Sequence, residues 1–178
     1  MWYSDCLRSR QTRLHSERGI EMSNINNTSR GQTNPVRRIG KSAAIDDIKH
    51  FDLGNRIVSW RLVPGHTQGS VAFIDEKYNN AFDADAAPVG AWLFLQESSP
   101  LPEYIAALND YLTFLTQSKV KYHYLGHAGT ALKIKSIKQL IRCAEYAVSK
   151  PNAGIKVNSM FGPARIIFAK GTLLFCGR

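Results

Sequence analysis

The chain has 178 residues, of which 44% are hydrophobic and 21% charged, and its formal net charge is +9. The length suffices for one domain with a substantial core, and the composition has none of the biases of collagenous, disulfide-stapled or wholly disordered chains. No apolar run approaches the ~20 residues of a membrane span, and residues 1–22 lack the apolar stretch of a secretory signal, so we expect a cytoplasmic protein with no membrane partner.

Residues 1–44 are rich in Arg, Ser, Asn and Thr and show no regular apolar spacing. Eight basic side chains stand against three acidic ones in residues 1–41, so this segment carries much of the positive charge. It buries too little apolar surface to offset the entropy of ordering it, and we expect a disordered basic arm ahead of a domain over residues 45–178. Such an arm can contact polyanions. A solvated tail is the simpler interpretation, so we expect no nucleic-acid partner.

The most informative stretch of the chain lies between residues 56 and 85. Residues 56–63 alternate in part between apolar and polar side chains, which predicts a half-buried strand, and the Pro-Gly that follows places His66 on a turn. Residues 70–74 and 80–83 are predicted to pair as a hairpin. Asp85 then lies just past a strand end. Asp83 is a second candidate carboxylate there, which we expect on the opposite face.

The rest of the chain alternates helices and strands. Apolar spacing predicts a helix over residues 102–117, with Ser98 or Ser99 as its cap, and a second helix over residues 134–149. The predicted core stripes are Ile105, Leu108, Leu112 and Leu115 in the first helix, and Ile137, Leu140, Ile141, Ala144 and Val148 in the second. Between them, residues 120–125 form a predicted strand that ends in a glycine-flanked histidine, His127. Residues 164–169 and 172–175 suggest a closing hairpin. This order of elements is typical of a layered α/β domain.

The three cysteines, at positions 6, 143 and 176, lack the spacing of a metal or redox motif. We interpret them as buried or idle thiols. An odd count favours a reducing compartment.

Three segments together resemble the metallo-beta-lactamase fold superfamily of metal-dependent hydrolases. Residues 64–70 read Pro-Gly-His-Thr-Gln-Gly-Ser, where the family usually has Pro-Gly-His-Thr-Pro-Gly-Ser. Residues 82–86 read Phe-Asp-Ala-Asp-Ala against Phe-x-Gly-Asp-Ala, and residues 126–128 read Gly-His-Ala against Gly-His-Gly. The resemblance implies a partial αββα sandwich. The family's earlier motif, His-x-His-x-Asp-His, is absent, since only His15 and His50 lie upstream of residue 65.

The resemblance also implies a ligand set for one or two zinc ions. It makes His66 a ligand of the first zinc, Asp85 a bridging carboxylate and His127 a ligand of the second zinc. The missing motif would supply two histidines to the first metal, and an aspartate and a histidine to the second. We therefore expect a truncated zinc hydrolase of a small-molecule substrate, with impaired activity alone, or a fragment that a partner chain completes.

A different class of function stays open beside this one. The chain can be a non-catalytic remnant or a binding module that uses its basic arm to contact a polyanion or a partner chain. The fold alone does not choose a substrate, because one fold hosts many activities.

Overall fold

The computed structural model describes residues 50–177. The predicted arm, the predicted domain start at residue 45, Cys6 and His15 lie outside these residues. The described part contains ten strands and two helices, which confirms the α/β class. Their bounds are β1 His50–Asp52, β2 Ile57–Leu62, β3 Val71–Asp75, β4 Asn80–Ala84, β5 Ala91–Leu93, α1 Leu101–Gln117, β6 Tyr122–Leu125, β7 Ala131–Lys133, α2 Lys135–Ser149, β8 Ile155–Ser159, β9 Gly162–Ala169 and β10 Thr172–Cys176.

Two sheets divide the strands between them. The large sheet has the order β1-β2-β3-β4-β6-β7, and the small sheet has the order β5-β10-β9-β8. In the large sheet only β4 and β6 pair in parallel; the other neighbours are antiparallel. Strands β2, β4 and β6 therefore run in the same direction. Their carboxyl ends lie at one edge of the sheet, which we call the ligand edge.

A single cluster of buried side chains joins one face of the large sheet, both helices and the small sheet. Strand β4 shows how the sequence selects this inner face. Ala81 and Asp83 are buried, whereas Phe82 and Ala84 are exposed, as the two-residue period of a strand requires. Helix α2 contacts β9 and β10 of the small sheet and β7 of the large sheet, so it links the two sheets.

The predicted apolar stripes of the helices agree with the structure in most positions. Leu108 and Leu115 of α1 are buried, and Ile105 and Leu112 are partly buried against the core. In α2 the last predicted core position is wrong, because Val148 is 47% exposed. The buried face of this helix ends at Ala147, one residue earlier.

The predicted serine cap of α1 is also wrong. The residue before the helix is Pro100, and no side chain caps the first turn. The two serines hold the neighbouring loop instead: the Ser98 hydroxyl donates to the His66 carbonyl at 3.0 Å, and the Ser99 amide donates to the Gly65 carbonyl at 2.8 Å. Neither described helix combines the length and apolarity needed to cross a bilayer.

Candidate functional site

The fold places the three predicted ligands at the same edge of the large sheet. His66 follows β2, Asp85 follows β4 and His127 follows β6, and these three strands end at the ligand edge. Because β4 and β6 are neighbours, the residues that follow them can come into contact. Strand β3 separates β2 from β4, so the strands that lead to His66 and Asp85 are two strand spacings, or about 10 Å, apart.

The loop over residues 63–70, here called the histidine loop, is held by its own motif residues. Thr67 and Ser70 bond to each other through their hydroxyls at 3.0 Å, and the Thr67 amide donates to the Ser70 hydroxyl at 3.1 Å. Gly65 lies against the buried ring of Tyr104, where a Cβ atom would come within 2.2 Å of Cδ2. The loop therefore requires glycine beside the histidine, which explains the Pro-Gly-His-Thr pattern in physical terms.

His66 has one ring nitrogen fixed and the other available. Its Nδ1 lies 3.0 Å from the carbonyl oxygen of Trp92. A carbonyl can only accept, so Nδ1 carries the proton and the neutral ring keeps its lone pair on Nε2. Metal-binding histidines are commonly oriented in this way, by a backbone carbonyl on the nitrogen that does not bind the metal.

Asp85 and His127 form a close pair at the ligand edge. His127 Nε2 lies 3.3 Å from Asp85 Oδ1, and the two side chains are 71% and 30% exposed, respectively. Gly126 makes the approach possible, because a Cβ atom there would lie 3.3 Å from the same carboxylate oxygen. The structure thus brings two of the three predicted ligands together.

The described donor set does not fit a catalytic zinc ion by itself. Such an ion takes three protein ligands and keeps one open position. Among residues 50–177, no group of three or more His, Cys, Asp or Glu side chains is arranged to hold a metal ion. The ligand roles of His66, Asp85 and His127 therefore stay predictions.

Asp83, the alternative carboxylate, lies in the core and not at the ligand edge. Strict alternation would put residues 83 and 85 on the same face, so alternation alone does not separate them. The separation arises because the register shifts between Phe82 and Ala84, and Ala84 adopts a φ of 43°. Asp85 therefore leaves the strand at the edge, while Asp83 points inward.

Asp83 anchors a buried network that the sequence motifs do not indicate. Its Oδ2 lies 2.7 Å from His123 Nδ1, and His123 Nε2 lies 2.6 Å from the Ser136 hydroxyl. The Tyr111 hydroxyl donates to the same Oδ2 at 3.5 Å, whereas Oδ1 is buried and accepts no hydrogen bond within residues 50–177. Burial raises the pKa of Asp83 above its usual range, and the bond to His123 counters part of that rise.

One signal in the sequence could have identified His123. It stands between Tyr122 and Tyr124 in a predicted strand, so alternation turns it to the face opposite the tyrosines. Both tyrosines are exposed, and His123 is fully buried.

The sequence matches no protein-family model and no curated protein. Among solved structures, the DIM-1 metallo-beta-lactamase is similar, with 17% identity and a TM-score of 0.45 over 56% of this chain and 45% of that one. A metallo-beta-lactamase family protein from Thermus thermophilus is also similar, at 17% identity and a TM-score of 0.47 over 56% and 34% of the two chains. An archaeal superfamily protein from Sulfolobus tokodaii gives 20% identity and a TM-score of 0.41 over 64% and 41%.

The similar solved structures are metallo-beta-lactamase superfamily proteins, the superfamily that the sequence motifs resemble. The chain spans less than half the length of each of these three, between 34% and 45%.

Proposed function

We propose that this chain supplies part of the site of a metal-dependent hydrolase and has little activity on a small-molecule substrate by itself. The observation that carries the proposal is the alignment of three donors at the ligand edge, with His66 already in the tautomer that leaves Nε2 available. Asp85 and His127 contribute a carboxylate and an imidazole 3.3 Å apart. Imidazole and carboxylate are ordinary zinc ligands.

The site would be completed by donors from outside residues 50–177. Two donors in contact, and a third that follows a strand two places away in the sheet, leave open positions on any ion held there. A partner chain would contribute the missing imidazoles. Loss of ligands lowers affinity, so the chain alone would bind zinc weakly.

The outer face of the large sheet supports the same proposal. Phe82, Tyr122 and Tyr124 are 42%, 41% and 39% exposed, and the rings of Phe82 and Tyr124 stack with centroids 5.1 Å apart. Contiguous apolar patches on a protein surface mark interaction sites, and these aromatic side chains form such a patch. A partner that covers this face would reach the ligand edge as well.

The test is zinc content after chelator treatment and reconstitution, measured by elemental analysis. We expect about one zinc ion per chain for the wild type at saturating metal, and none for the His66→Ala/Asp85→Ala/His127→Ala variant. His50→Ala is the matched control, because His50 is exposed in β1 and pairs with Ser59 in the middle of β2. Equal zinc content in the triple variant and the wild type would contradict the proposal.

Hydrolase activity is a separate measurement on the same samples. We expect slow turnover, or none, of model lactam, thioester and phosphodiester substrates by the wild-type chain alone. Turnover at a normal enzymatic rate by purified chain, abolished in His66→Ala, would show that the described donors suffice. The alternative, a module that binds a polyanion through the basic arm, stays a prediction because the arm lies outside the described residues.

A further inference from the structure

The buried network around His123 has the connectivity of a nucleophile, a base and an orienting carboxylate. Asp83 Oδ2 contacts Nδ1 of His123 at 2.7 Å, and the opposite ring nitrogen contacts Ser136 Oγ at 2.6 Å. Asp83 and His123 are fully buried, whereas Ser136 is only partly buried. The chain of contacts therefore runs from the core to a residue that is partly exposed to solvent.

The hydrogen-bond partners of His123 decide which of its ring nitrogens carries the proton. With the Asp83 carboxylate on Nδ1, the neutral imidazole carries its proton there and presents a lone pair on Nε2 to Ser136. The Ser136 hydroxyl has two acceptors within reach, Nε2 at 2.6 Å and the Lys133 carbonyl at 2.9 Å. The contact to the imidazole is the shorter one, and it is the contact that makes a serine nucleophilic.

The three residues that precede Ser136 line an open cavity, and Ser136 itself lies at a helix start. The cavity has a volume of 440 Å³ and is lined by Val120, Lys121, Tyr122, Lys133, Ile134 and Lys135. Three of these residues are lysines, so the cavity favours an anionic ligand. Ser136 is the second residue of α2. The Ile137 amide already donates to the Ile134 carbonyl at 3.1 Å, which leaves the amides of Lys135 and Ser136 as the first-turn donors to a developing oxyanion.

We propose that Ser136 is the nucleophile of a second, metal-independent site that cleaves carboxylic esters with an anionic group. His123 is its base, and Asp83 is a positioning residue that holds the imidazole in the required tautomer. This site is distinct from the ligand edge. It lies on the inner face of β4 and β6, whereas Asp85 and His127 follow the ends of those strands.

The proposed reaction proceeds in two steps. Ser136 Oγ attacks the ester carbonyl carbon, its proton passes to His123 Nε2, and the bond to the leaving alcohol breaks as the alcohol oxygen takes that proton. Water then attacks the acyl-serine ester and gives a proton to Nε2, and Ser136 leaves and recovers its proton. The products are one carboxylic acid and one alcohol, and no oxidant or metal is needed.

The first experiment is labelling with a fluorophosphonate probe in the presence of EDTA, read by mass spectrometry of the intact chain and its peptides. We expect one adduct, on Ser136, formed as fluoride leaves. Ser136→Ala should lose it, and Ser149→Ala, a change at an exposed serine near the end of the same helix, should keep it. Folded wild-type protein without an adduct on Ser136 would overturn the proposal.

The roles of His123 and Asp83 are tested separately from that of Ser136. His123→Gln should slow labelling by about 100-fold, with circular dichroism used to confirm that the variant is folded. Asp83→Asn should also slow labelling and shift the His123 proton from Nδ1 to Nε2, which ¹⁵N chemical shifts report. Labelling at the wild-type rate in a folded Asp83→Asn variant would reduce the network to a structural one.

The substrate class is tested with matched esters. The wild type should hydrolyse 4-nitrophenyl hydrogen succinate faster than neutral 4-nitrophenyl butyrate, and Lys121→Gln/Lys135→Gln should remove the preference. Equal rates for the two esters in the wild type would contradict the anionic specificity. Because EDTA is present throughout, loss of zinc binding at the ligand edge does not affect these results.

Discussion

Strands β4 and β6 pair an aspartate with a histidine twice, once inside the core and once at the ligand edge. The inner pair, Asp83 and His123, is fully buried with a contact of 2.7 Å. The outer pair, Asp85 and His127, is exposed to different degrees with a contact of 3.3 Å. The same residue types therefore lie in two different environments. The register shift at Ala84 leaves Asp83 in the core and Asp85 at the ligand edge.

The comparison shows that a residue's place in a sequence motif and its burial in the fold are independent properties. The outer pair carries the family-like sequence signals but has few partners among the described residues. In the inner pair, Asp83 occupies the variable position of the motif at residues 82–86 and His123 belongs to no motif that we identified, yet both nitrogens of the imidazole are hydrogen-bonded. Stability should therefore depend on the inner pair and metal binding on the outer pair, and the following predictions separate the two.

The largest expected effect is that of removing the inner histidine. His123→Ala leaves a buried carboxylate without its partner and should lower the free energy of unfolding by about 3–5 kcal/mol. His127→Ala changes an exposed side chain and should cost less than about 0.5 kcal/mol. Urea denaturation of both variants measures the difference. Equal losses of stability would contradict the claim that stability depends on the inner pair and not on the outer pair.

A smaller loss is expected from crowding the histidine loop. Gly65→Ala would place a Cβ atom 2.2 Å from the Tyr104 ring, and we expect a loss of about 1–3 kcal/mol from overpacking. Gly129→Ala is the matched control, because nothing lies within 4 Å of its added Cβ. Thermal melting of the two variants distinguishes the steric effect from a general intolerance to alanine.

Two buried aspartates should show opposite pH dependence. The bond from Arg56 holds the pKa of Asp75 below its usual range, so its folded-state pKa is lower than its unfolded-state pKa. Its stabilising contribution is present above the unfolded-state pKa, about 3.9, and is lost as pH falls through the lower folded value. Burial raises the pKa of Asp83 instead, so its contribution to stability decreases as pH rises through the range between the two values.

Arg56→Gln tests the first of these contributions. It should leave a flatter dependence of unfolding free energy on pH below about 4, because Asp75 then titrates at a similar pKa in both states. The measurement is urea denaturation at a series of pH values. An unchanged acid profile in the variant would show that the ion pair does not hold the Asp75 carboxylate in its charged form.

The smallest expected effect concerns the cysteines. Cys143 and Cys176 are buried, and burial raises the pKa of both thiols. Reaction with a thiol reagent should be slow in native protein and should become fast in denaturant. Fast native-state reaction at Cys143 or Cys176, separated from Cys6 by peptide mapping, would indicate local opening around α2 or β10.

The sequence predicts the secondary-structure elements that have long periodic patterns, but it does not reveal the short strands. Both helices, the hairpin of β3 and β4 and the closing hairpin of β9 and β10 agree with the apolar spacing. Strands β1, β5 and β7 have three residues each and form through pairing with a neighbour, so no local period reveals them. Strand β8 was missed as well, since its residues are mostly exposed.

The residues of the candidate site also divide into those that a local sequence pattern indicates and those that it does not. Motif residues indicated His66, Asp85 and His127, and the parallel pairing of β4 with β6 explains the contact between the last two. The network of Asp83, His123 and Ser136 depends on residues 13 and 40 positions apart, and no local pattern encodes such a juxtaposition. The roles of Ser98 and Ser99 as loop supports were hidden for the same reason.

The most direct test of the central claim, an incomplete donor set at the ligand edge, is the affinity of the chain for zinc, measured by calorimetric titration. We predict a Kd for zinc no tighter than about 1 μM, which corresponds to a binding free energy of about 8 kcal/mol. His127→Ala should abolish this binding. That free energy falls short of the about 10–16 kcal/mol of complete structural sites. Nanomolar binding by the wild-type chain alone would contradict the claim, because it would require donors that complete the site within this chain.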